Sequence, residues 1–143
     1  MKSTRWLVVG VMIALAGCGK SQIAPVRLQN AESAYSDAKE ALEEKDYATA
    51  LERFSTAIEE AGLNPDLLAD AMLRTAECHI ELGNLNDAAE VLESLADRAP
   101  EMDQYHLVCC RLYAKQGDSA KARAAYDAAR EINPSVEPPL GLN

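Results

Sequence analysis

One spacing constrains this chain more than anything else in it. Gly83 returns as Gly117, Ala88 as Ala122 and Pro100 as Pro134, all at the same interval. Around them, Leu82-Gly83-Asn84-Leu85-Asn86-Asp87-Ala88-Ala89 is answered by Gln116-Gly117-Asp118-Ser119-Ala120-Lys121-Ala122. A weaker copy, Lys45-Asp46-Tyr47-Ala48-Thr49-Ala50, lies upstream, where Ala50 precedes Ala88 by a slightly longer interval. The excess, four residues, falls around Gly62-Leu63-Asn64-Pro65. A Gly turn, a small residue five positions on and a closing Pro, repeated with a period of about 34 residues, point to stacked helical hairpins.

The residues between the turns carry helical periodicity. Ala34, Ala38 and Ala41 share one face, as do Met72, Ala76 and His79, and then His106, Cys110 and Tyr113. The second members of the pairs carry Ala50, Phe54, Ala57; Ala88, Leu92, Leu95; and Ala122, Tyr126, Ala129. Gly83 and Gly117 suit the left-handed end of a helix, and Asp46, Asn86 and Asp118 are expected to cap the next one. The expectation is an all-α fold of six helices in three antiparallel pairs. Aromatic content is only 5% and much of the apolar set is Ala. That composition favours close helix stacking over one large core.

These motifs resemble the tetratricopeptide repeat. The resemblance covers about residues 31 to 136 and implies a short right-handed solenoid of three repeats, about 31–64, 69–102 and 103–136, within a folded region 28–136. Repeats two and three keep the Gly, the small Ala and the closing Pro, whereas the first has Asp37 and Lys45 at the family's Leu and Gly slots. In this family the opposite face of the first helices lines an inner groove that receives a partner segment. Here that face holds Tyr35, Lys39 and Leu42, then Leu73, Glu77 and Ile80, then Leu107, Arg111 and Ala114. Tyr35, Leu73 and Leu107 are expected to stand where no core demands them. Lys39 and Arg111 are expected to favour an acidic residue in the ligand. Tyr35 and Lys39 do not match the Lys and Asn of members that clamp a terminal carboxylate. The end of the chain, residues 137–143, reads as a disordered tail, beginning to lose structure from Ser135.

The first residues tell a separate story. Lys2 and Arg5 precede an apolar run, Trp6 to Ala16, that is short for a membrane span and suits an export signal. It ends in Leu15-Ala16-Gly17-Cys18, which resembles the lipobox of bacterial lipoproteins. The resemblance implies a signal peptide over 1–17, lipidation at Cys18 and a tether over 18–27. Gly19, rather than Asp, leans towards an outer membrane facing the periplasm over an inner one.

Little else suggests chemistry. Cys78, His79, His106, Cys109 and Cys110 cluster in the repeat, and three readings are open: packing, a metal held by the i, i+4 pair His106 and Cys110, or a disulfide from Cys78 to Cys109 or Cys110. No phosphate loop, His-Glu-x-x-His or nucleophile elbow is present, so no enzyme and no cofactor is expected. A net charge of −9 disfavours nucleic acid as a partner. The sequence reads as a membrane-anchored interaction adaptor or assembly factor of the bacterial envelope, with an unknown protein or peptide segment in the groove. Self-association through the Ala-rich last helix is the alternative.

Overall fold

A computed structural model describes residues 23–97 and 102–139. Cys18, the export signal, Pro100 and the end of the tail lie outside them. Among the described residues the chain forms six helices and no strand. They are α1 (Ile23–Glu43), α2 (Tyr47–Glu59), α3 (Pro65–Leu82), α4 (Leu85–Leu95), α5 (Asp103–Gln116) and α6 (Ser119–Ile132). Each helix packs on its successor, and α3 also touches α5, so the hairpins stack. None of the described helices is long and apolar enough to cross a membrane.

The three hairpin turns are one device used three times. At the end of α3, Gly83 is left-handed (φ 83°) and the Asn84 amide donates to the His79 carbonyl at 2.8 Å. At the end of α5, Gly117 (φ 80°) does the same, with Asp118 donating to Tyr113 at 2.9 Å. At the end of α1 the left-handed residue is Lys45 (φ 61°), and Asp46 donates to Ala41 at 2.9 Å. These bonds satisfy carbonyls that a helix end would otherwise strand. The residue that closes one helix then opens the next. Asp46 accepts from the Thr49 amide at 3.1 Å and Asp118 from the Lys121 amide at 3.0 Å. Asn84, not Asn86, holds the corresponding place before α4, and its side chain makes no capping bond.

The four extra residues before α3 also have a purpose. Asn64 caps α3 through the amides of Asp66 and Leu67, with Pro65 at the first helical position. Gly62 lets the loop press against α1: a Cβ there would fall 2.7 Å from the Leu28 Cα and 2.8 Å from the Arg27 carbonyl oxygen. This contact holds the early part of α1, which begins at Ile23 and not at residue 28. The expected tether is shorter by that much, because residues 23–27 are helical.

Two apolar clusters meet at α3. Ala71 and Cys78 face Ala38, Ala41, Ala50 and Phe54 of the first hairpin. Leu73, Ala76 and Ile80 join Leu92, Leu95, Val108, Leu112 and Tyr126 on the other side. The region after α6 is tied down at its start, contrary to the expectation of disorder from Ser135. The Tyr126 hydroxyl donates to the Val136 carbonyl at 3.2 Å, and Asn133 Nδ2 donates to Asp103 Oδ2 at 2.8 Å. Val136 packs on the second cluster.

Candidate functional site: the face of the first helices

Helices α1, α3 and α5 carry the face expected to receive a partner. A chain of polar contacts crosses it. The Tyr35 hydroxyl of α1 donates to Asp70 Oδ2 of α3 at 2.6 Å. Arg74 Nε lies 3.4 Å from Asp70 Oδ1, and Arg74 Nη1 donates to Glu77 Oε2 at 2.8 Å. The other oxygen of Glu77 accepts from Arg111 of α5. Two acids and two arginines alternate, so their charges cancel along the row. Glu77 is only 7% exposed, and a buried carboxylate is tolerated where both its oxygens are occupied.

Tyr35 feels this arrangement most. Burial, and then the hydrogen bond and negative charge of Asp70, push its hydroxyl up to about 12. Its ring meets Phe54 edge-on at 5.9 Å and carries the Lys39 ammonium 5.8 Å from its centroid. Lys39 is exposed, while Leu42 and Leu107 are half-buried against the first and second clusters respectively.

Two expectations need correction. Leu73 and Ile80 are not open groove residues; they are 1% and 2% exposed and belong to the core. The middle helix has neighbours on both sides, so a wider part of its circumference is buried than periodicity alone suggests. Arg111 is not waiting for an acidic ligand, because Glu77 already holds it. The face therefore offers Lys39, Leu42, Leu107 and the outer edges of Tyr35 and Arg111, above a self-compensated polar floor.

Asp70 and Arg74 escaped the sequence reading, although Asp70, Arg74 and Glu77 stand at i, i+4 and i+7. A stronger signal lay in one repeat slot. Lys39, Glu77 and Arg111 occupy the same place in successive repeats, so that slot changes sign from each repeat to the next.

The cysteines lie elsewhere. Cys78, Cys109 and Cys110 are buried free thiols, not bonded to one another. Burial, then the charge of Glu77, pushes Cys78 up to about 11, and burial raises Cys109 and Cys110 as well. Thiols held protonated in this way are poor nucleophiles. Among the described residues no three His, Cys, Asp or Glu side chains gather as a metal site. His106 sits edge-on to Tyr105 at 5.3 Å.

A protein-family model described as "Tetratricopeptide repeat" matches residues 41–108, from the end of α1 to the middle of α5. No curated protein matches the chain.

Proposed function

This chain carries tetratricopeptide repeats, and on that premise we propose that it is a lipid-anchored adaptor of a bacterial envelope that holds a partner segment on the α1–α3–α5 face. The repeat is in general a scaffold for protein–protein interaction and not a catalyst. The observation that carries the proposal is the polar row from Tyr35 to Arg111. It fixes three helices of three repeats as one surface while leaving Lys39, Leu42 and Leu107 above it for a ligand. Because the floor is self-compensated, the ligand is chosen by apolar contact at Leu42 and Leu107 and by the exposed charge of Lys39. A segment with apolar side chains and one acidic residue fits that description.

The anchor rests on Leu15-Ala16-Gly17-Cys18. Only residues 19–22 separate Cys18 from α1, so covalent geometry limits the reach to about 18 Å. The adaptor would work close to the bilayer, and Gly19 favours the periplasmic side of an outer membrane. Two or more acyl chains would make the attachment firm.

The test has two arms. Cys18→Ala should abolish labelling by a radioactive or clickable fatty acid and move the protein from the membrane to the soluble fraction; unchanged membrane association contradicts the anchor. Lys39→Glu and Leu107→Asp, each checked for intact helicity by circular dichroism, should lose the partners that co-purify with wild type. Recovery of the same partners by both folded variants contradicts the working surface.

A further inference from the structure

The stack has two seams between hairpins, and they are filled in opposite ways. In the first, Leu51, Phe54 and Ile58 of α2 cluster with the small Ala71 and Cys78 of α3, and the small Thr75 between those two in the chain is also buried. In the second, the same slots of α4 and its C-cap, one repeat on, hold Ala89, Leu92 and Ala96. The bulk has moved to α5, where Tyr105, Cys109 and Leu112 replace the three small residues of the repeat before. The exchange does not close the space. Tyr105 is drawn along α4 by a hydrogen bond from its hydroxyl to the Leu92 carbonyl at 3.3 Å. A half-open cleft of about 340 Å³ remains between α4 and α5, with Ala89, Ala96, Tyr105 and Tyr113 among its walls and Glu93 and Gln116 at its edge.

The α4 side of the cleft is acidic, and exposed Lys115 of α5 adjoins Gln116 on the other side. Helix α4 contains Asp87, Glu90 and Glu93 and no Lys or Arg; Glu93 lines the cleft, and exposed Glu90 and Asp97 stand three residues before and four after it, at helical spacing. On the α5 side the Lys121 ammonium covers the Tyr113 ring at 5.6 Å but is already paired with Asp118 at 3.2 Å. The volume is at the small end for ligand pockets and suits a side chain better than a cofactor. We propose that this cleft is a second docking site, for a basic peptide segment that seats one large aromatic side chain between Tyr105 and Tyr113 and sets its Lys or Arg residues against Glu90, Glu93 and Asp97. None of these residues belongs to the α1–α3–α5 face, so the site stands or falls independently of that surface.

The full chain in a non-ionic detergent can be titrated with fluorescein-labelled Lys-Lys-Trp-Lys-Lys, with Lys-Lys-Ala-Lys-Lys and Glu-Glu-Trp-Glu-Glu as controls, following anisotropy. The first peptide should bind at least about tenfold more tightly than either control, which asks for about half of what one fully buried aromatic can contribute. Its amide chemical-shift changes should concentrate on α4 and α5. The double variant Ala89→Leu with Ala96→Ile restores the residues that α2 has at those slots; it should melt higher than wild type and lose the preference for Trp. Glu93→Lys, a surface change, should weaken the first peptide while leaving the melt unchanged. Equal binding of the two Lys peptides would mean surface charge alone and overturns the proposal. So would tight binding of the Glu peptide, no binding of any, or unchanged binding by Glu93→Lys.

Discussion

Glu77 joins two hairpins through single atoms. Its two oxygens are taken by Arg74 of its own helix and Arg111 of the next first-position helix. Removing it leaves Arg111 without its carboxylate and Arg74 with Asp70 alone, but the two arginine side chains are 37% and 31% exposed and water can reach them. Glu77→Ala should therefore cost about 2–3 kcal/mol in urea unfolding, below the range for a fully buried pair. A double-mutant cycle with Arg111→Ala should show clear coupling; strict additivity would mean that the pair contributes nothing. Tyr35 gives a pH signature. Its hydroxyl is raised from 10.0 to about 12, so the folded state favours the protonated form. That stabilisation is complete below about pH 10 and is lost as pH rises through about 12. Wild type should lose stability across this window by more than Tyr35→Phe does, measured by denaturant melts at each pH. These pairings were only half legible in the sequence. The alternating slot of Lys39, Glu77 and Arg111 is visible on the line, but Asp70 reaches Tyr35 across two helices of different hairpins, and no local pattern encodes that meeting.

The hairpin is the scale at which the sequence speaks most plainly, because turn geometry is local. Gly83 and Gly117 announce left-handed helix ends, and both occur. A Cβ at either would meet nothing within 4 Å, so the requirement is conformational only. Lys45 hides the same turn, since a left-handed non-Gly residue costs only about 1–2 kcal/mol and the rest of the hairpin can hold it there. Lys45→Gly should accordingly raise stability by about 1 kcal/mol, and Gly117→Ala should lower it by a similar amount. Opposite signs in a thermal melt would contradict the shared turn. Helix contacts follow the small residues: Ala88 and Ala122 are both fully buried, so Ala122→Leu should overpack α6 at a cost of about 1–3 kcal/mol. The misreading of Leu73 and Ile80 belongs to this scale too. Periodicity marks which residues share a face, but not how many helices surround it, and α3 alone is enclosed by both clusters.

Across the whole molecule, α3 is the common wall of two cores, while the last hairpin leans on the rest through a seam that contains a cleft. Repeat stacks open at their weaker joints, so amides of α5 and α6 should exchange with deuterium before those of α2 and α3. Uniform protection through all six helices would contradict this division. The same stacking brings Tyr35, the Asp70–Arg74–Glu77 row and Arg111 into one continuous face, which is where the proposed adaptor holds its partner. The most direct measurement is photo-crosslinking in cells from a benzophenone side chain at Glu43, exposed on α1 one turn from Lys39, set against the same group at Glu52, which is exposed on α2. Discrete adducts from position 43, absent from position 52 and lost when Leu107→Asp is added, are the expected result. The same adducts from both positions, or adducts that persist with Leu107→Asp in a folded protein, would contradict the account.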